Sequence, residues 1–125
     1  MKPAALLIWG ALGLTACSKP EPPPPPPPLA FDCARGYEAL AAAIAAEPGI
    51  KLANTPGEPY RYYNAGDGAV SYVVTEPRAP AHPAVFKQIA GPGGTSTIGC
   101  PYGDGPSYDR FVTYLKDLAK ARGKS

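Results

Sequence analysis

The 125-residue sequence is poor in the residue types on which most enzyme sites depend. It has one histidine, His82, and three cysteines, and it contains no Cys-x-x-Cys pair. A nucleophile elbow (Gly-x-Ser-x-Gly) and a Ser-x-x-Lys motif are also missing. The chain is too short for a Rossmann domain or an α/β barrel. We therefore expect no cofactor, no metal site and no enzyme of these classes.

Charged residues give little sign of a catalytic or nucleic-acid site. Carboxylates are scattered without a spacing that pairs two of them, as glycosidases require: Glu58, Asp67, Glu76, Asp104 and Asp109. Residues 64–68 resemble part of a calcium loop, but no glutamate stands at the twelfth position, so a hairpin turn is the favoured interpretation. The net charge of +2 argues against a nucleic-acid partner. A hydrolase site that folding assembles from His82 and a carboxylate stays open as an alternative.

No apolar run is long enough to span a bilayer as a mature helix, which takes about 20 residues. The longest run is the eleven residues of segment 4–14, which follow Lys2. A positive start and an apolar run of this length are typical of a secretory signal peptide.

The next residues, Leu14-Thr15-Ala16-Cys17, resemble the lipobox of bacterial lipoproteins. The resemblance implies that residues 1–16 are removed and that Cys17 carries a diacylglycerol thioether and an acylated amine. Ser18, rather than Asp, follows the cysteine, which by the same resemblance indicates the outer membrane, facing the periplasm. We therefore expect the membrane to be a partner through Cys17. The alternative is an ordinary secreted protein in which Cys17 is incidental.

Residues 17–30 form a proline-rich segment with seven consecutive prolines, Pro22 to Pro28. Proline fixes φ and lacks an N–H, so this segment is expected to be an extended stalk. At ~3.1 Å per residue it could hold the domain ~40 Å from the lipid surface. The alternative is a ligand for a proline-reading groove.

Residues 31–125 are expected to form one small α+β domain with one disulfide. Cys33 and Cys100 are an even pair in an exported chain, which predicts a bridge that closes a loop of about 68 residues. A reactive thiol is the alternative. Helical spacing of apolar residues predicts helices over 35–47 and 107–122, the second with Ser107 as its N-cap.

Strand patterns between the helices predict an antiparallel sheet of about four to five strands with two hairpins. The first joins 60–65 to 69–75 through Asp67-Gly68, and it places Tyr63 opposite Tyr72. The second joins 85–90 to 95–100, although 83–90 is also compatible with a short helix. The simplest arrangement places both helices on one face of the sheet.

Tyrosine is the one feature above background, since four of eight lie on the first hairpin. The face with Tyr63 and Tyr72 is expected to cover the core, and the opposite face to present Tyr60 and Tyr62. Tyrosine is frequent at binding surfaces, although strands also favour it for packing. The second candidate surface is the loop 101–106 with Tyr102 and Asp104, which the disulfide would hold in place.

These observations predict a non-enzymatic, lipid-anchored envelope module that binds an envelope protein or cell-wall partner. The alternative is a small lipoprotein inhibitor of a hydrolase or toxin. No resemblance beyond the lipobox supports either function, so the partner is not identified from the sequence.

Overall fold

A computed structural model of the chain describes Pro22, residues 29–66 and residues 68–123. Cys17 and Ser18, and with them the expected signal, anchor and most of the stalk, lie outside the described residues, as does Asp67. The described elements are a 3₁₀ turn Cys33–Arg35, α1 Tyr37–Ala45, β1 Lys51–Leu52, β2 Tyr60–Asn64, β3 Val70–Thr75, β4 Ala84–Gly91, β5 Gly94–Pro101 and α2 Gly105–Gly123.

The strands form a five-stranded antiparallel sheet in the order β1-β2-β3-β4-β5. The predicted α+β fold is confirmed, and so is the predicted register, because Tyr63 lies opposite Tyr72 in the β2–β3 pair. The segment left open between strand and helix is strand β4, which pairs with both β3 and β5. A two-residue turn, Pro92-Gly93, joins β4 to β5, since Gly91 and Gly94 still face each other.

The two helices cover opposite faces of the sheet, so the expected placement of both on one face is wrong. Leu40 and Ile44 of α1 pack on the face that carries Tyr72, Val74 and Val85. Phe111 and Leu115 of α2 pack on the other face, over Val73 and Phe86.

Side-chain alternation along adjacent strands explains this arrangement. Directly opposed residues share a face in an antiparallel sheet, so Val73 and Phe86 form one apolar row and Val74 and Val85 form another. Val73, Val74, Val85 and Phe86 are all buried. Both central strands are therefore apolar on both faces, and one helix cannot cover both.

A glycine lets α2 lie close to its face of the sheet. Gly99 faces Phe86 across the β4–β5 pair. A Cβ built on Gly99 would lie 2.5 Å from the Tyr108 hydroxyl oxygen and 2.8 Å from Cδ1 of Phe86. These separations are below van der Waals contact, so the packing of Tyr108 against the sheet requires a residue without a side chain at position 99.

Aspartates begin both helical segments. The Asp32 carboxylate accepts a hydrogen bond from the Ala34 amide at 2.9 Å and so caps the 3₁₀ turn before α1. At α2 the expected N-cap was Ser107, but Oδ2 of Asp104 accepts a hydrogen bond from the Ser107 amide at 2.9 Å. The Asp104 carboxylate thus satisfies a free amide of the first turn. Because Asp104 and not Ser107 is the cap, α2 begins at Gly105, two residues earlier than expected.

The disulfide joins Cys33 to Cys100, with a Cα–Cα distance of 5.3 Å. It ties the 3₁₀ turn before α1 to the end of β5, as the sequence predicts. Leu29 and Phe31, on the N-terminal side of this turn, also pack against the α1 side of the core. The chain that leads into the expected stalk is thus fixed against the sheet.

Candidate functional site

Two of the tyrosines predicted to form a binding surface lie side by side on β2, on the face that α2 covers. Tyr60 and Tyr62 are alternate residues of one strand, so their side chains leave the sheet in the same direction. Their ring centroids are 6.2 Å apart. Tyr114 of α2 lies beside them and is 53% exposed. We call Tyr60, Tyr62 and Tyr114 the tyrosine patch.

The rings of the patch are joined to the core through Phe111. Tyr60 stacks on Phe111 with centroids 4.7 Å apart and planes 18° apart. Phe111 also contacts Tyr114, at 5.7 Å between centroids, and it is buried against Phe86. Phe111 thus holds the rings of Tyr60 and Tyr114 in fixed positions, which lowers the conformational entropy lost when a partner binds.

Burial and a nearby carboxylate keep the phenols of the patch protonated. The Tyr62 hydroxyl donates a hydrogen bond to Oε2 of Glu58 at 2.8 Å. Burial first, and then this contact, raises the pKa of Tyr62 well above its ordinary value. Burial and the charge of Glu58 also raise the pKa of Tyr60. Both side chains therefore present neutral hydroxyl groups over the physiological range.

A small open groove adjoins the patch. Its volume is about 180 Å³, and its lining includes Tyr60, Phe111 and Tyr114 with Pro80 and Arg110. An apolar groove with one cation at its rim suits the side chain of a partner protein better than it suits a buried small molecule. The groove and the patch together offer aromatic area, hydroxyl groups and one cation to a neighbouring molecule.

The other predicted surface residues lie elsewhere and have structural partners. The Tyr102 hydroxyl donates to the Cys33 carbonyl at 2.7 Å, and the ring packs on the α1 side of the core. Asp104 caps α2, and its hydrogen bonds with Ser107 are the first reason that the pKa of this carboxyl is lowered. Because Tyr102 packs on the face opposite the patch, the two predicted surfaces are not continuous. A binding role for Tyr102 and Asp104 stays a prediction.

His82, the centre of the alternative hydrolase site, is held within the fold. Its Nδ1 lies 3.0 Å from Oγ1 of Thr75, and its ring meets Tyr37 edge-on at 5.1 Å. Thr75 is fully buried and bonds both the amide and the carbonyl of Ala84. A hydroxyl in this position cannot reach a substrate. The contacts of His82 are those of a residue that fixes the start of β4.

The described residues form neither a metal site nor a membrane-spanning helix. Within residues 29–66 and 68–123, no three His, Cys, Asp or Glu side chains are grouped so as to hold a metal ion. Within those limits, too, neither helix has the length and apolar character needed to cross a membrane.

Sequence reasoning missed Tyr114, Glu58 and Arg110. Tyr114 follows Phe111 by three residues, so it borders the apolar stripe of α2 without belonging to it, and that position could have indicated an exposed aromatic side chain. Arg110 carries no such signal, because its proximity to the patch depends on α2 lying over β2. Glu58 precedes Tyr62 by only four residues, so this contact is local and its spacing could have indicated it.

Comparison with known proteins adds no relative. The chain matches no protein-family model, no curated protein and no solved structure.

Proposed function

We propose that the protein is a non-enzymatic binding module of the bacterial cell envelope. In this proposal Cys17 carries the lipid anchor, and the domain faces the periplasm and binds a partner on the tyrosine patch. The observation that carries the binding role is the patch itself: an exposed Tyr114 beside two ordered tyrosines and a groove with Arg110 at its rim. Tyrosine and arginine are the residue types that contribute most to protein interfaces, so a protein is the favoured partner class.

The envelope location is supported by the resemblance of residues 14–17 to a lipobox and by the disulfide. A bridge between Cys33 and Cys100 is typical of a protein that folds in an oxidising compartment. The stalk would hold the patch away from the lipid surface, where a neighbouring envelope protein or the cell wall is within reach.

The patch can be tested with variants that leave the core intact. Tyr60→Ala is a poor choice because this ring stacks on Phe111. Tyr114→Ala removes an exposed ring, and Thr113→Ala, also exposed on α2, is its matched control. The full-length lipoproteins, with an affinity tag at the C-terminus, are crosslinked in intact cells, purified and analysed by mass spectrometry.

A specific envelope protein that is captured by the wild type and by Thr113→Ala, but at least ~10-fold less by Tyr114→Ala, would support the proposal. If that protein is a hydrolase whose activity falls in proportion to the bound domain, the module acts as an inhibitor. Sedimentation with purified peptidoglycan that depends on Tyr114 would instead indicate a cell-wall partner. Equal capture by both variants would remove the patch from consideration.

A further inference from the structure

The last strand of the described sheet has an open edge that differs from the edge at the opposite side. β5 is eight residues long and ends the strand order, whereas β1 at the other edge is only two residues long. Proteins usually protect a long edge strand with charges, proline or a bulge, because unpaired backbone groups can pair with another chain. From Gly94 to Cys100, β5 has no charged residue and no proline.

The hydrogen-bonding phase of the β4–β5 pair shows which backbone groups point away from the sheet. Gly91 and Gly94 face each other across the two-residue turn. The pair that closes such a turn is a hydrogen-bonded pair, and bonded and non-bonded pairs alternate from there along the strands. Ser96 and Ile98 therefore bond to β4, while the N–H and C=O groups of Thr95 and Thr97 point outwards.

Two backbone contacts at the ends of the hairpin agree with this phase. The Ala90 amide, opposite Thr95, donates to the Ala69 carbonyl at 2.8 Å, so it is directed towards β3 and not towards β5. At the other end, the Tyr102 amide donates to the Pro83 carbonyl at 2.9 Å, as the alternation requires. The open part of the edge ends near Gly99, whose carbonyl lies 3.7 Å from Sγ of Cys33.

A groove runs along this edge between β5 and the C-terminal half of α2. Its volume is about 930 Å³, and the strand side is lined by residues 91–97. The helix side is lined by Lys116, Ala119 and Lys120. Alanine between two long side chains leaves room for a chain to lie beside the strand.

The charge of the groove selects its occupant. Among the described residues, the two ionisable side chains that line it are lysines, and they are exposed and four residues apart on one helix face. Like charges at this spacing repel each other and slightly destabilise a helix. A carboxylate placed between them would relieve that repulsion.

Two other occupants fit less well. A second copy that paired β5 with β5 would bring together four lysines, two from each groove. The proline-rich stalk of this chain lacks the N–H groups that a strand must donate to the Thr95 and Thr97 carbonyls. An acidic segment of another protein has backbone N–H groups to donate to these carbonyls, and its charge is opposite to that of the lysines.

We propose that the groove between β5 and α2 binds an extended acidic segment of a partner protein as a sixth strand of the sheet. The backbone of Thr95 and Thr97 pairs with the segment, and Lys116 and Lys120 bind its carboxylates. Backbone pairing supplies affinity, and the lysines select the charge of the side chains on one face of the added strand. This surface is separate from the tyrosine patch.

The experiment uses the full-length lipoprotein in detergent micelles and two capped synthetic peptides. One peptide alternates glutamate with valine, and the other has lysine in place of glutamate. Binding is measured by fluorescence anisotropy, and amide hydrogen exchange is measured at Thr95 and Thr97. The variants are Lys120→Glu, with Lys51→Glu on exposed β1 as the matched control, and the double variant Lys116→Glu/Lys120→Glu.

The glutamate peptide is expected to bind the wild type and to slow exchange at Thr95 and Thr97. Lys120→Glu should weaken this binding several-fold, Lys51→Glu should leave it unchanged, and the double variant should weaken it by about tenfold and prefer the lysine peptide. Tyr114→Ala should bind the glutamate peptide normally, so failure of the patch and failure of the groove are distinguishable.

Four results would overturn the proposal. They are no binding of the glutamate peptide, equal binding of both peptides by the wild type, binding without slower exchange at Thr95 and Thr97, and protection of those amides by self-association without peptide.

Discussion

Tyr60 of β2 and Phe111 of α2 stack with ring centroids 4.7 Å apart, which joins the first hairpin to the last helix. The contact lies on the face of the sheet that faces away from α1. Tyr60 thereby packs against the second core, under α2, while Tyr114, one helical turn after Phe111, stays exposed at the surface. The proposed binding site therefore depends on the packing of α2 against the sheet through Phe111.

Removal of the exposed ring should affect binding far more than stability. We expect Tyr114→Ala to lower the free energy of unfolding by only about 1 kcal/mol, since the side chain is 53% exposed and loses one ring contact, with Phe111. Urea denaturation of Tyr114→Ala and Thr113→Ala checks this. A loss above about 2 kcal/mol would show that Tyr114 belongs to the core and is unsuitable as a surface probe.

The close approach of α2 at Gly99 predicts a large effect of a single methyl group. In Gly99→Ala the new Cβ would meet the Tyr108 hydroxyl and Phe86, so we expect a loss of about 1–3 kcal/mol in the free energy of unfolding. Gly93→Ala is the control, because a Cβ there has no neighbour within 4 Å. Equal stability of the two variants would mean that α2 does not pack over Gly99 as described.

The elements differ in how far their positions can be predicted from the sequence. The register of the first hairpin follows from its turn residues and from alternation along two strands, so it could be predicted. The placement of α2 could not, because it depends on Phe86, whose segment fits a helix as well as a strand until β3 and β5 pair with it. Tyr60 and Tyr62 could be recognised from the sequence as two tyrosines on one face of a strand. Their proximity to Tyr114 could not be predicted, because it depends on the position of α2 over that face.

The disulfide should account for a large share of the stability. Its cysteines are 67 positions apart, and a loop of that size predicts a contribution of about 4 kcal/mol. We expect Cys33→Ala/Cys100→Ala to lower the free energy of unfolding by about 2–5 kcal/mol, measured by chemical denaturation without reductant. Wild-type protein under reducing conditions should then behave like the double variant, and a difference below about 1 kcal/mol would contradict a stabilising bridge.

Alkaline pH should destabilise the fold through Tyr72. Burial, followed by the Glu47 carboxylate, raises the pKa of Tyr72 to about 12, whereas an unfolded tyrosine titrates near 10. The contribution is complete below about pH 10 and is lost between about pH 10 and pH 12, because the unfolded chain releases the proton first. Denaturation midpoints from about pH 9 to about pH 11 should fall more steeply in the wild type than in Tyr72→Phe. Parallel curves would count against the raised pKa.

The anchor is tested by changing the residue that would carry it. Cys17→Ser should abolish incorporation of labelled palmitate and shift the protein from the membrane fraction to the soluble fraction of the envelope. Ser18→Asp should keep the lipid but, in an enteric host, favour the inner membrane. Unchanged palmitate labelling in Cys17→Ser would contradict the resemblance to a lipobox.

Site-specific photocrosslinking in living cells is the most direct test of whether the tyrosine patch contacts a partner in the envelope. A photoreactive amino acid is placed at position 114 in one strain and, as a control, at position 38 on α1, where Glu38 is exposed on the other side of the sheet. We expect a discrete adduct from position 114 that co-expressed wild-type protein competes away and the co-expressed Tyr62→Phe/Tyr114→Ala variant does not. No adduct at position 114, or the same adduct from positions 114 and 38, would contradict a specific contact at the tyrosine patch.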